Sequence, residues 1–280
     1  MKIFSWNEIE KILESDYSHP YFKNGSGISI GSFDGIHKGH KLLLTTLIEK
    51  CKDLHLLSGV VSFLRPLPSL KHSEDYQGDL TTLDQRLKIF DSMGVDFAII
   101  IDFTKEFASI RGVEFLQMLV DSCNMKYIAE GVDFRCGYKG STDVSSIKYF
   151  AESNGVKYDF VEPVYYHIAA GEDERISSSY IRSMVLKRFL STVQELLERP
   201  YSVQLEFESG VQNKSGGMSF LKSRINQVLP PCGVYYCIVF QKEVRVEITE
   251  QEIIIEPAES SNLFDMANLK SEKVFVIEFQ

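Results

Sequence analysis

The chain has 280 residues, 44% of them hydrophobic, enough for one large domain or two modest ones with real cores. Its formal charge of -9 and pI near 5.3 argue against a nucleic-acid binder, which carries a basic surplus, and leave room only for a local pocket for a small anion. The five cysteines contain no C-x-x-C pair and read as reduced thiols, the acid-bearing N-terminus "MKIFSWNEIEKILE" has no signal-peptide block, and no apolar run approaches a membrane span, so a soluble, cytoplasmic protein without a membrane partner is expected.

In chain order, "ISIGSF" reads as a strand and is followed by a helix from about His40 to Lys52, then by the strand "SGVVSF". "TTLDQRLKIFDSM" predicts a helix with a capping box, Thr82 facing Gln85, and with Leu83, Leu87 and Phe90 at helical spacing. "FAIIIDF", "KYIAEGVDF" and "YDFVEPV" are strands, separated by the helices "VEFLQMLVDSC" and "DVSSIKYFAES", and "ISSSYIRSMVLKRFL" is a further helix. Such β-α alternation with nearly all-apolar strands predicts an α/β fold, a Rossmann-like domain with a parallel sheet covered on both faces. Ser191 with Gln194 opens a short helix that Arg199-Pro200 ends. From Tyr201 the rhythm changes to alternating strands ("YSVQLEFES", "GVYYCIVF", "EVRVEITE", "EIIIEP", "KVFVIEF") joined by turn-rich "GVQNKSGG" and "LPPCG", with one further helix considered at Leu263–Leu269. The expected division is 1–186, a linker helix at 187–200, and a small antiparallel β-barrel-like domain at 201–280.

The stretch that carries chemistry is "GISIGSFDGIHKGHKLLL", Gly27 to Leu44. In an open parallel sheet ligands sit beyond the carboxyl ends of the strands, and this loop lies there, between a strand and a helix. Gly31 lets a ligand approach the backbone, while Gly35 and Gly39 permit a tight turn. The helix start offers unpaired N–H groups and a positive dipole end, and His37 and His40, one turn apart, can both donate to phosphate oxygens. The loop fits neither G-x-G-x-x-G nor the P-loop. A pair of ordinary structural histidines, or two zinc ligands lacking a third, are the other readings of the same residues.

"GSFDGIHKGH" resembles the H-x-G-H signature of the nucleotidyltransferase superfamily, and "ISSSYIR", Ile176 to Arg182, resembles its I-S-S-T/S-x-I-R signature. Within that superfamily the chain is most similar to the bacterial FAD synthetase family, bifunctional riboflavin kinase/FMN adenylyltransferase. "LTTLDQRLKIFDSMGVDFAIIIDFTKEFASI" (Leu80 to Ile110), "EGVDFRCG" (Glu130 to Gly137) and "RPYSV" (Arg199 to Val203) carry the likeness, over roughly residues 20–205. The resemblance implies the reaction FMN + ATP giving FAD and pyrophosphate, with Mg²⁺ accompanying ATP and no metal held by a dedicated protein site. It implies catalytic roles for His37, His40 and Arg182, and ATP contacts from Gly31, Ser32, Phe33, Asp34, Gly39, Gly131, Asp133, Ser177, Ser178 and Ser179. "SFLRPLP" resembles the family's flavin-side loop, which makes Phe63, Pro66, Pro68 and Phe134 the flavin-binding candidates. Leu64 stands where the family has an aromatic, and Cys136 where it has a phenylalanine.

The C-terminal region resembles the family's riboflavin kinase barrel only in part. Gly233, Val234 and Tyr235 match a strand start, whereas "GGMSFLKSRINQVLPPCGVYYC" lacks the P-T-A-N string, and Glu243 and Glu247 read as solvent-facing strand residues. A degenerate domain without kinase activity is therefore expected. Two rival readings of the whole are a nucleotidyltransferase for another phosphorylated acceptor and a non-catalytic flavin-nucleotide binding protein; oligomeric state is not legible.

Overall fold

The computed structural model describes all residues other than 16–18, 67–75, 168–170, 172, 214–216 and 258–272. Pro68 and the helix considered at Leu263–Leu269 lie outside the described residues. The chain divides into two compact units, Met1–Ser73 with Leu83–Arg175, and Glu74–Thr82 with Ile176–Gln280.

Six parallel strands form the sheet of the first unit: β1 (Lys2–Ser5), β2 (Ser26–Ile30), β3 (Leu57–Phe63), β4 (Phe97–Ile101), β5 (Met125–Gly131) and β8 (Lys157–Val161), in the order β1-β4-β3-β2-β5-β8. All five residues of β2 are buried, as expected of a central strand covered on both faces. Space there is tight enough that a Cβ on Gly59 would meet the Phe97 ring. Helices α1 (Trp6–Glu14), α5 (Gly112–Cys123) and α6 (Val144–Ser153) bury one face of the sheet through Trp6, Ile9, Phe115, Leu119 and Ile147 against Ile28, Ile30 and Val61. Helices α2 (Lys38–Leu54) and α3 (Leu83–Met93) cover the other, with Leu44, Leu47, Ile48 and Phe90 against Val60, Ala98 and Ala129. The strands and helices expected from the β-α rhythm are present. Strand β1 and helix α1 were not anticipated, because β1 buries only Phe4 and leaves no apolar run to read.

The strand order reverses at β2, which passes to β3 on one side and has β5 on the other. Ladder partners join β2 to β5 only as far as Ile28 and Ile128, so the two strands part before their carboxyl ends. A crevice at such a reversal is where open α/β sheets take ligands. Residues of α4 (Lys105–Ala108) and of β6 (Arg135–Cys136), which pairs with β7 (Thr142–Asp143), lie beside it, and the unit also carries the hairpin β9 (Tyr165–His167) with β10 (Asp173–Arg175).

In the second unit, α7 (Ser178–Leu186) and α8 (Leu190–Leu197) precede one antiparallel sheet. Its strands β11 (Tyr201–Glu206), β12 (Gly210–Gln212), β13 (Met218–Leu221), β14 (Gly233–Val239), β15 (Lys242–Ile248), β16 (Glu252–Pro257) and β17 (Val274–Phe279) run in the order β11-β17-β14-β15-β16-β13-β12. The barrel-like expectation takes the form of a half-barrel with edges at β11 and β12. Strict alternation buries Tyr235, Cys237 and Val239 of β14 and Val244, Val246 and Ile248 of β15, while Glu243 is exposed and Glu247 half-buried. Strands β12 and β13 fall on and beside the stretch read as turn; they are short, and β12 is largely exposed.

Candidate active site

Helix α2 explains why two histidines stand three residues apart. His37 is the N-cap and His40 the N3 residue, and the His37 Nδ1 accepts the His40 backbone N–H at 3.4 Å. An accepting Nδ1 places the proton of a neutral His37 ring on Nε2. The two rings stack with centroids 3.8 Å apart and planes 17° apart. Burial, and then the neighbouring His37, hold the His40 pKa well below the ordinary histidine value of 6.5, so His40 is neutral near pH 7. Among the described residues its Nδ1 has no hydrogen-bond partner.

The loop that delivers this pair is tightly wound. Phe33 (φ 48°) and Ile36 (φ 40°) are both non-glycine residues in the left-handed region, each costing roughly 1–2 kcal/mol that the buried packing must offset. Phe33 is 2% exposed, with its ring edge-on to Phe90 (5.6 Å) and His40 (5.4 Å). A Cβ on Gly31 would lie 3.2 Å from that ring, a tight fit that the ring would have to relieve by a small shift where β2 enters the loop. Asp34 is buried in the same turn, and Gly39 is the second residue of α2.

Two buried polar residues supporting this rim were not singled out from sequence. Arg86 of α3 has no exposed surface; its Nη1 donates to Ser32 O (2.9 Å) and Ser62 Oγ (2.8 Å), and its Nη2 to Phe63 O (2.9 Å) and Leu64 O (3.2 Å). One guanidinium thus ties the loop after β2 to the end of β3. The readable signal was a cation at position 86 on the helical stripe of Leu83 and Phe90. Glu130 of β5 is 1% exposed, and its carboxyl accepts the Ile30 N–H at 2.6 Å, filling the gap where β2 and β5 part. Burial raises its pKa well above 4.5 against the opposing pull of that bond, so it is a carboxylic acid over much of the acid range.

On the face covered by α1 and α5, a cavity of about 250 Å³ opens beside Ile30, Gly31 and Ser32. Phe63 and Phe134 line it, with Phe103, Phe107 and Phe115, which were not foreseen as lining. Phe63, Phe103, Phe107 and Phe115 form a chain of edge-to-face contacts with centroids 5.5–5.8 Å apart. Cys136 lines the cavity too, its thiol pushed up to about 12 by burial and by the Glu130 charge. The F-x₃-F spacing of "DFTKEF" was the available signal for Phe103 and Phe107.

The remaining predicted residues fall elsewhere. Pro66 is buried beyond Phe63. Gly131 ends β5, and the exposed Asp133 carboxylate accepts from Arg175 at 2.6 Å, which lowers its pKa. The first unit therefore gathers His37, His40, Gly31, Ser32, Phe33, Asp34, Gly39, Gly131, Asp133, Phe63 and Phe134 along the carboxyl edge of β2, β3 and β5. Ser177, Ser178, Ser179 and Arg182 belong to the second unit. Ser177 caps α7 by accepting Tyr180 N–H at 3.2 Å, Ser178 and Ser179 form its first turn, and Arg182 is buried one turn on. Among the described residues no three His, Cys, Asp or Glu side chains assemble as a metal site, and no helix is long and apolar enough to cross a membrane.

A family profile, FAD synthetase, matches residues 20–180. The chain is 29% identical over 195 residues to the bifunctional riboflavin kinase/FMN adenylyltransferase of Buchnera aphidicola subsp. Schizaphis graminum, covering 69% of this chain and 61% of that protein. The Escherichia coli K12 protein of the same name is 29% identical over 183 residues, 65% of this chain and 56% of its own length. A Listeria monocytogenes FAD synthetase is 26% identical over 208 residues, covering 74% and 79%. The chain thus spans somewhat over half the length of those bifunctional relatives. Among solved structures, a macrolide-efflux protein from Streptococcus pneumoniae superposes with a TM-score of 0.72 at 19% identity, covering 100% of this chain and 98% of that one; this is a likeness of fold.

Proposed function

The chain belongs to the FAD synthetase family, and from that premise we propose that it moves the adenylyl group of ATP onto the phosphate of FMN, giving FAD and pyrophosphate. The observation that carries the reading is the meeting of two surfaces at Gly31 and Ser32. An aromatic cavity suited to a flat ring opens on one face of the sheet, and the histidine-capped helix α2 covers the other. A flavin seated among Phe63, Phe103 and Phe134 would send its phosphate over the strand end toward His37 and His40.

In the proposed step an FMN phosphate oxygen attacks the α-phosphorus of ATP in line. A new P–O bond forms as the bond to the β-phosphate bridging oxygen breaks, and pyrophosphate leaves with that electron pair. No covalent enzyme intermediate is required, so catalysis is positioning and charge stabilisation. His37 donates through Nε2 to a phosphate oxygen, His40 sets the ring against which it stacks and donates beside it, and the first turn of α2 adds its N–H groups. Ser177, Ser178 and Arg182 take the same class of ligand from α7. Gly31, Ser32 and Gly131 let the nucleotide approach the backbone. Mg²⁺ enters with the triphosphate, held by phosphate oxygens and water.

The second unit is read as lacking riboflavin kinase activity. Where the family resemblance calls for P-T-A-N, this chain has "GGMSFLKS" at β13, and Glu247 is paired to Arg245 at 2.8 Å. Incubation of the full chain with FMN, ATP and Mg²⁺ should yield FAD and pyrophosphate in equal amounts by chromatography. Riboflavin with ATP should yield no FMN. Failure to form FAD overturns the first assignment, and FMN production overturns the second.

A further inference from the structure

Within the second unit, two contacts hold one side chain, and a third steadies one of its partners. Arg182, 6% exposed, donates from Nε to Gly78 O at 2.7 Å, and its guanidinium carbon lies 5.4 Å from the centroid of the Tyr76 ring. The Tyr76 hydroxyl in turn donates to the Asp79 carboxylate. A donor bond from Nε and an aromatic ring within cation–π range together restrain the fork.

The segment bearing those contacts is itself held from the half-barrel. Asp79 N donates to Asn226 O at 2.8 Å and Val228 N to Asp79 O at 2.9 Å, a parallel bridge between Asp79 and Gln227. Gln227 is 4% exposed: its Nε2 donates to Leu80 O and Ser202 O, both at 3.0 Å, and its Oε1 accepts Gln204 N–H at 2.7 Å. The buried Tyr201 hydroxyl donates to Val228 O at 2.6 Å. Gly78 has φ +111°, and a Cβ there would fall 2.6 Å from Val228 N, so the two segments lie backbone to backbone. A chain of bonds therefore runs from β11 through residues 226–228 to residues 78–80 and ends on Arg182.

We infer that residues 226–228, anchored to β11 by Gln227, are a positioning device for the Arg182 guanidinium, aiming it at the phosphates of a bound nucleotide. Within the second unit, the role of the half-barrel is then to hold an arginine for a phosphate-bearing ligand. The inference rests on the functional reading of Arg182 given above. Its physical basis is that a long, freely rotating side chain loses entropy when it binds, and a prior bond network removes that loss before the ligand arrives. Gln227 and Tyr76 are positioning residues, with no contact to nucleotide required of either.

The test compares the full-length wild type, Arg182→Ala, Gln227→Leu and the double variant, reading ATP affinity by calorimetric titration and FAD formation by chromatography. Arg182→Ala and Gln227→Leu should each weaken ATP on the order of 10-fold, and the double variant should be no weaker than Arg182→Ala, because Gln227 acts only through that guanidinium. Should Gln227→Leu not fold, Tyr76→Leu at a half-buried position enters the same cycle with the same expectation. Additive losses in the double variant, or normal affinity in the folded Gln227 and Tyr76 variants beside a defective Arg182→Ala, overturn the inference and leave the functional reading standing. If Arg182→Ala binds ATP and turns over as the wild type does, the assignment of Arg182 falls and takes the inference with it. Non-additive ATP binding without any FAD formation supports the device while refuting the FMN reaction.

Discussion

The two sheets handle charge in opposite ways. Strand β2 of the parallel sheet is buried along its whole length, so polar groups reach a ligand only at strand ends, and Arg86, Glu130 and His37 gather there, each at most 6% exposed. Strands β14 and β15 of the half-barrel alternate, and their charges lie outward, where Arg245 bridges Glu247 and Glu256 at 2.8 Å each with its side chain 37% exposed. An arginine in the first setting is a structural bolt tied to backbone carbonyls. In the second it is a solvated partner of two carboxylates, with water able to replace either.

The sharpest way to break that comparison is to remove both arginines. Arg86→Met strips partners from the carbonyls of Ser32, Phe63 and Leu64 and from the Ser62 hydroxyl. The loss of stability should be about 3–5 kcal/mol in urea unfolding, since each buried group left unsatisfied costs about 1 kcal/mol or more. Arg245→Met should leave the urea midpoint where it was. Equal effects would mean that the burial contrast does not govern the two sites.

Next in size is the chemistry at the rim. His40→Ala should lower FAD formation by roughly two orders of magnitude or more if the ring stabilises transferring charge, with folding judged separately by circular dichroism. Near-normal turnover removes His40 from the mechanism. A finer test uses its protonation. The free ring is neutral because its pKa lies well below 6.5, and a triphosphate beside it favours the imidazolium, raising that pKa. ATP binding should therefore take up protons and tighten as pH falls from 8 toward 6, which titrations in two buffers of different protonation enthalpy will measure. Proton release on binding contradicts the placement of the triphosphate against this ring.

Much of this contrast was legible beforehand. Uninterrupted apolar runs such as "FAIIIDF" announced strands covered on both faces, and period-two stretches such as "VRVEI" announced strands with one wet face. The three-residue spacing of His37 and His40 was readable as an anion site at a helix start; that it is an N-cap with two stacked rings needed coordinates, because nothing in composition distinguishes stacked from diverging imidazoles. Strand β1 escaped because a single buried Phe4 makes no pattern. Arg86 and Glu130 were visible only as charges in apolar positions, beside Phe90 on a helical stripe and in step with Ile128 on a strand. Such misfits are the readable trace of a supported site, since a buried charge survives only where backbone groups meet it.

The smallest expected effect concerns Glu130, and its sign separates the buried rim from the wet face. Burial raises the folded-state pKa above the ordinary 4.5, so the proton binds more tightly in the folded chain than in the unfolded one. The stabilisation from that proton is complete below about pH 4.5 and is lost as pH climbs through the raised folded value. Glu130→Gln keeps an acceptor for the Ile30 N–H and cannot ionise. Its Tm should match the wild type near pH 4.5 and exceed it by a few degrees at pH 8, the gap opening as pH climbs toward the raised folded value and holding constant above it. A gap that narrows with rising pH would show that the carboxylate is the stabilising form, held by positive charge in the β2–β5 crevice.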